Sequence, residues 1–185
     1  MRIISGNFKG KKILLPLDKN TRPLRDLVKE SIFNLLIHSN KIKFEIKDSN
    51  ILDLFSGSGS FGLECASRGA NKVIFVENYI NILSILKKNI KSIDTKNICK
   101  IIEKNCFDYF NTNLDSNKFN LIFIDPPYKE KKIDFLIDKI KKNQILENDG
   151  IIVIHRHKKD DVKISEKLRI IDQRTYGISK IIIGN

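Results

Sequence analysis

The chain has 185 residues, 41% hydrophobic and 30% charged, which favours one globular domain over two. Its 34 Lys and Arg against 22 Asp and Glu leave a net charge of +12, which points to a polyanionic partner, nucleic acid before an anionic membrane. No apolar run reaches the roughly 18 residues of a membrane span and no secretory signal opens the chain, while Cys65, Cys99 and Cys106 lack CxxC spacing, which excludes a disulfide framework or Cys-rich zinc site and fits a reduced cytoplasm.

Residues 1–16 alternate weakly and turn at Gly6 and Gly10, which predicts a short basic hairpin. Over 24–38, Leu24, Leu27, Val28, Ser31, Ile32, Leu35 and Leu36 recur at helical spacing, with Pro23 suited to the first turn. From residue 50 strands and helices alternate. Strands are predicted at Asn50–Phe55, Lys72–Glu77, Ile98–Ile102, Phe119–Ile124 and Gly150–His155, and helices at Phe61–Arg68, Ile80–Ile93 and Ile133–Lys142. Leu168–Ile171 and Ser179–Ile183 read as final strands with little helix between them. The pattern predicts an α/β fold with a mainly parallel sheet and helices on both faces, whose ligands bind at the carboxyl ends of the strands. No linker is visible, so residues 1–185 read as a single domain: a basic N-terminal part over 1–40 and a core over 50–185.

Gly57-Ser58-Gly59-Ser60-Phe61-Gly62 is a GxGxxG that follows a strand and opens a helix, and Glu77 lies 20 residues beyond Gly57 at the end of the next strand. That pattern places a carboxylate on a ribose diol. Asp53, four residues before Gly57, argues against a dinucleotide, because a carboxylate repels a pyrophosphate and attracts a cation. S-adenosylmethionine fits better, having no phosphate, a sulfonium, an ammonium group and a ribose diol. Asp53, Phe55, Ser56, Gly57, Gly59, Glu77 and Asn78 are the expected cofactor-binding residues around this loop. After the third strand, Asn105 is placed to accept from the adenine amino group, with Asp108 as the alternative, and Cys106 is placed to line the same pocket.

Asp125-Pro126-Pro127-Tyr128 closes the fourth strand and is the most specific motif. Two prolines stiffen the turn and remove two backbone donors. Asp125 and the Pro126 carbonyl then form a pair of acceptors suited to an NH2 group, and Tyr128 offers a ring face to a flat base. Two hydrogen bonds from an exocyclic amine localise its lone pair, so that methylation becomes a matter of positioning and electrostatics. Asp125 also stands ready to receive the released proton. Asp125, Pro126, Pro127 and Tyr128 are the expected catalytic residues.

With these motifs the sequence resembles the class I S-adenosylmethionine-dependent methyltransferases. More narrowly it is similar to the bacterial enzymes that methylate the N2 amine of one guanine in 16S rRNA. Arg2-Ile3-Ile4-Ser5-Gly6, Lys9-Gly10-Lys11-Lys12, Arg22 to Asn34, Asp53 to Gly59, Glu64, Ser67 to Ala70, Val76-Glu77, Asp125 to Tyr128 and Tyr176-Gly177 carry the resemblance. It implies a Rossmann-like, seven-stranded fold and a monomeric cytoplasmic enzyme without a metal, acting on the small ribosomal subunit or its assembly intermediate. The chain departs from the family at Leu24 and Leu27, where Thr and Arg are usual, and at Asn105 and His155, where acidic residues are common.

Other readings of the motifs are an adenine-N6 methyltransferase acting on RNA or DNA, a non-catalytic ribosome-assembly factor, and an NAD-dependent enzyme, the last disfavoured by Asp53. His155 and His157 form an HxH without a third metal ligand, and solvated or RNA-facing histidines are the simpler reading. Residues 1–50 carry a net +6, residues 51–128 a net +1 and residues 129–185 a net +5. The excess charge therefore flanks the motifs, and Lys9, Lys11, Lys12, Arg22, Arg25 and Lys129 are the expected RNA-binding residues.

Overall fold

The computed structural model describes residues 1–16, 24–95, 97–111 and 118–185; Arg22 and Pro23 lie outside the described residues. Ile-, Val- and Phe-rich runs form the parallel strands β1 (Asn50–Leu54), β2 (Lys72–Glu77), β3 (Cys99–Glu103), β4 (Phe119–Ile124) and β5 (Leu146–His157). The antiparallel strands β6 (Ile170–Tyr176) and β7 (Ser179–Gly184) complete a seven-stranded sheet of order β3-β2-β1-β4-β5-β7-β6. This is the expected mainly parallel architecture. The chain runs outward from β1 to β3 and returns to the other side of β1 as β4. A crevice therefore opens at the carboxyl ends of β1 and β4, the switch point where such sheets bind ligands.

Side chains alternate between the faces of each strand, and each face has its own core. On one face α1 (Asp26–His38), α2 (Ser60–Ser67) and α3 (Ile80–Ser92) cover Ile51, Val73, Phe75, Leu121, Phe123 and Val153. On the other, α4 (Cys106–Tyr109) and α5 (Ile133–Lys142) cover Leu52, Leu54, Ile74, Ile122, Ile124 and Ile152. A column of rings joins α1 to the sheet: Phe33 stacks on Phe61 at 5.1 Å, and Phe61 on Phe123 at 3.9 Å.

Every residue of α2 is buried, because the N-terminal segment packs over the side turned away from the sheet. That segment is the expected hairpin in reduced form, a single Arg2–Lys12 bridge with Ile3 N–H donating to the Lys11 carbonyl and Ile13 N–H to the Met1 carbonyl. Glu64 of α2, fully buried, accepts from Ile4 N–H at 2.7 Å and Ser5 N–H at 2.9 Å. The same carboxylate pairs with Arg68 at 2.9 Å and with the buried Lys29 of α1 at 3.5 Å, while Lys29 donates to the Arg2 carbonyl at 2.8 Å. Burial lowers the Lys29 pKa, and Glu64 and Asp26 pull it back. The approach requires glycine at position 6: φ is +80° there, and a Cβ would stand 1.9 Å from the Ser67 carbonyl oxygen.

Three elements differ from expectation. Strand β5 runs four residues earlier and two later than 150–155, and a register irregularity between Phe119 and Leu121 accommodates the longer strand beside β4. Strand β6 extends through Asp172-Gln173-Arg174-Thr175 to Tyr176. An edge strand with one neighbour tolerates such polar residues, and they discourage further pairing. The four-residue α4 is too short to show a helical period.

Glu64→Ala is expected to cost about 3–5 kcal/mol, since it takes from the buried Lys29 its nearer carboxylate, leaving Asp26 at 3.8 Å, and orphans the Ile4 and Ser5 N–H groups. Urea unfolding would read the loss, and limited proteolysis would show cleavage within residues 1–16 that the wild-type protein resists.

Candidate active site

The carboxyl ends of β1, β2 and β4 bring Asp53, Glu77 and Asp125 to one rim. Leu54 lies in register with Val76 on one side and Ile124 on the other, so Glu77 and Asp125 flank the end of β1. Asp53 is buried and accepts from Gly62 N–H at 3.0 Å. Burial raises its pKa well above the usual carboxylate range; the Gly62 hydrogen bond opposes this, and the charges of Asp125 and Glu77 add to it. The rim is a cup that repels anions and rewards a cation.

Glu77 accepts from Gly57 N–H at 2.8 Å and from Asn78 and Tyr79 N–H at 2.9 Å each. A carboxylate offers about four lone-pair positions, so one remains on Oε2 for a ligand hydroxyl. The glycine loop is shaped around open space. Gly57 has φ +54° and no atom within 4 Å of where a Cβ would stand. The Ser56 and Ser60 hydroxyls are buried without a hydrogen-bond partner among the described residues. A second anchor for the loop is Asn89 of α3, which donates to the carbonyls of Ser58 and Leu14 and accepts from Leu14 N–H. These features fit S-adenosylmethionine: a carboxylate cup for its positive groups, a held acceptor for a ribose hydroxyl, and unpaired hydroxyls where the loop approaches the ligand.

Phe55 leaves β1 with φ +58°, rare for a non-glycine residue and here stabilised by a hydrogen bond from its N–H to Cys106 Sγ at 3.2 Å. Burial pushes the Cys106 thiol far up and the Cys99 thiol up to about 11, so neither is a ready nucleophile. Asn105 caps α4, its side-chain oxygen accepting from Phe107 N–H at 2.9 Å. A ligand amino group would have to share that oxygen. Phe55 and Phe107 meet edge to face at 6.1 Å and wall this side of the crevice.

The Asp125 turn is braced from behind. Asp125 N–H approaches the Leu54 carbonyl at 3.5 Å, Pro126 is buried, and Pro127 and Tyr128 are exposed. The buried guanidinium of Arg156 on β5 donates to the carbonyls of Pro127, Tyr128 and Glu130 and pairs with Asp160. Burial would raise the Asp160 carboxyl, but Lys131 and Arg156 outweigh that and hold it below its usual range. Tyr128 is 54% exposed, with its ring perpendicular to His157 at 5.5 Å. His155 faces Asp125, its Nδ1 lying 2.8 Å from Oδ1. That corrects the reading of His155 as a solvated or RNA-facing residue: the ends of β4 and β5 adjoin, and the imidazole is held between them. Spacing along the chain carried no signal for Asn89 and His155, whose side-chain partners lie 24 to 75 residues away, or for the three carbonyls that Arg156 holds, 26 to 29 residues away.

Lys9, Lys11, Lys12, Arg25 and Lys129 are all exposed. Lys11 reaches the Ser92 carbonyl at 3.5 Å and stands 5.6 Å over the Phe8 ring. Among the described residues no helix is long and apolar enough to cross a membrane, and no group of three His, Cys, Asp or Glu side chains is placed to hold a metal ion.

The family model described as "Conserved hypothetical protein 95" matches residues 1–185. The chain is 34% identical to YlbH of Bacillus subtilis over 99% of its own length and 97% of that protein's. It is 30% identical to the ribosomal RNA small subunit methyltransferase D of Haemophilus influenzae, over 96% of this chain and 90% of the other. A methylase crystal structure from H. influenzae superposes with a TM-score of 0.78 at 28% identity, covering 100% of this chain and 97% of that one.

Asp53→Asn tests the cup. The folded, ligand-free protein holds the Asp53 proton more tightly than the unfolded chain does, so its stability falls as pH rises from the ordinary carboxylate range through the raised pKa. Asn keeps an acceptor for Gly62 and removes the buried charge. Melting curves are expected to show a Tm higher by about 2–4 °C at pH 8 with a flatter pH dependence, and calorimetric titration to show weaker S-adenosylmethionine binding.

Proposed function

The chain belongs to the Conserved hypothetical protein 95 family, and from that membership and the geometry of its crevice we propose that it transfers a methyl group from S-adenosylmethionine to the N2 amine of a guanine in 16S rRNA. The observation that carries the chemistry is the Asp125 carboxylate held at the crevice on a turn that Arg156 braces. The methyltransferase D relatives carry the choice of small-subunit rRNA.

S-adenosylmethionine supplies a methyl group activated on a sulfonium. The chain's own residues bind, aim and receive. Asp53 and the glycine loop hold the cationic end of the cofactor, and Glu77 takes a ribose hydroxyl. Asp125 and the Pro126 carbonyl accept the two hydrogens of the target amine, which turns the nitrogen lone pair toward the methyl carbon. Tyr128 stacks on the extruded base, and Asp125 receives the proton lost as the N–C bond forms. Arg156 takes up the carbonyls of Pro127, Tyr128 and Glu130 and leaves that of Pro126 to the substrate. The exposed Lys9, Lys11, Lys12, Arg25 and Lys129 grip RNA phosphates on either side of the crevice. The enzyme acts as a monomer in the bacterial cytoplasm, on the small subunit or its assembly intermediate.

Nucleoside mass spectrometry of 16S rRNA from a strain lacking the gene is expected to show the loss of one N2-methylguanosine. The wild-type gene restores it, and Asp125→Ala, slower by about 10²–10³-fold, does not. A change in N6-methyladenosine instead would move the target to adenine. Charge reversal at Lys9, Lys11, Lys12 and Arg25 is expected to raise KM for RNA, with a shallower salt dependence, while calorimetry finds cofactor binding unchanged.

A further inference from the structure

His155 sits where β5 meets both β4 and β7. Ile154 pairs with Ile124 on one side, and His155 pairs with Ile181 on the other. Its Nδ1 lies 2.8 Å from Asp125 Oδ1, and its Nε2 lies 2.9 Å from Ser179 Oγ. A carboxylate only accepts, so Nδ1 carries the hydrogen toward Asp125, and Nε2 shares a hydrogen bond with the Ser179 hydroxyl. Ser179 is buried on β7, so the ring is held at both nitrogens. His157, two residues on, turns to Tyr128 and accepts from Lys159 N–H, so the two histidines do not converge on a common ligand.

The imidazole is the one side-chain partner of the Asp125 carboxylate among the described residues. Asp125 is about a quarter exposed and opens a turn whose backbone is fixed, while its own side chain retains two torsions. An NH2 group needs two acceptors at a set separation, and a misplacement of 1 Å costs about 10²-fold in rate. We propose that His155, oriented by Ser179, is a positioning residue: it holds Asp125 through Oδ1 and leaves Oδ2 aimed at the amine beside the Pro126 carbonyl. The inference rests on the functional reading above and adds a second layer behind its acceptor pair.

Three variants test it, with the purified full chain acting on small subunits from a strain lacking the gene. His155→Leu fills the site without a donor, and kcat is expected to fall on the order of 10²-fold. KM for the subunit and Kd for S-adenosylmethionine stay within about threefold of wild type, because neither ligand loses a contact. His155→Asn places a side-chain N–H near the Nδ1 position and restores kcat to within about tenfold of wild type. Ser179→Ala falls between the two. His155→Asn and Ser179→Ala melt within about 4 °C of the wild-type protein, as expected for the loss of one hydrogen bond, and His155→Leu, which loses two, within about 8 °C. A kcat for His155→Leu equal to wild type would overturn the inference, and so would a His155→Asn enzyme as slow as His155→Leu. Failure of the wild-type enzyme to methylate a guanine of the subunit would overturn the functional reading and, with it, the inference.

Discussion

Glu64 lies on a helix that water does not reach, and its two oxygens receive Ile4 N–H, Ser5 N–H and Arg68 while Lys29 stands within ion-pair distance. An ionised carboxylate in an apolar setting is costly unless its lone pairs are satisfied, and here three separate stretches of chain are needed to satisfy them. The basic N-terminal hairpin, helix α1 and helix α2 are therefore bound to one another through a single group. Helix α2 begins at the glycine loop, so the segment expected to meet RNA and the loop expected to meet the cofactor rest on the same short helix. Asn89 repeats the coupling from the other side, tying Leu14 to the Ser58 carbonyl.

The electrostatics divide along the same line. The chain is strongly basic, yet the crevice is lined by Asp53, Glu77 and Asp125, whose mutual repulsion helps to raise the Asp53 pKa. A cationic cofactor and a polyanionic substrate require opposite fields within a small distance. The sheet provides them by gathering carboxylates at the ends of three adjacent strands, with exposed lysines on the hairpin and on the loop after the Asp125 turn.

The strands were legible because β1, β2, β4 and the middle of β5 are mostly apolar, broken inside only by Asp53 in β1 and Asn120 in β4, as strands buried on both faces tend to be. The site motifs were legible because a parallel sheet brings the carboxyl end of every strand to one rim, so Asp53 near the end of β1, Glu77 at the end of β2 and Asp125 just after β4 fall together once the strands are found. Partnerships across the chain were not. Nothing near Glu64 in sequence announces Ile4 and Ser5, 60 and 59 residues away, and nothing near His155 announces Asp125. The polar residues Asp172 to Thr175 hid most of β6, of which only the start was expected, since pairing with β7 supplies what its side chains do not. Asn105 shows a different limit, for a cap and a ligand acceptor are the same atom doing different tasks, and only the backbone around it reveals the first.

Several groups in the crevice are left less satisfied than the core allows elsewhere. Among the described residues Asp53 is buried with one hydrogen bond and the Ser56 and Ser60 hydroxyls have none, and Phe55 holds a left-handed backbone. Each costs stability in the ligand-free protein, by an amount on the order of 1–3 kcal/mol for an unpaired polar group. By contrast, the supports behind the crevice are fully engaged: Arg156 at three carbonyls and Asp160, Glu64 at three donors, His155 at both nitrogens. A site built in this way is rigid where it must aim and unpaired where it must bind. The free energy withheld from folding at Asp53, Ser56 and Ser60 becomes available to a ligand that supplies a cation and hydrogen-bond partners, so cofactor binding and the stability of the glycine loop are one linked equilibrium.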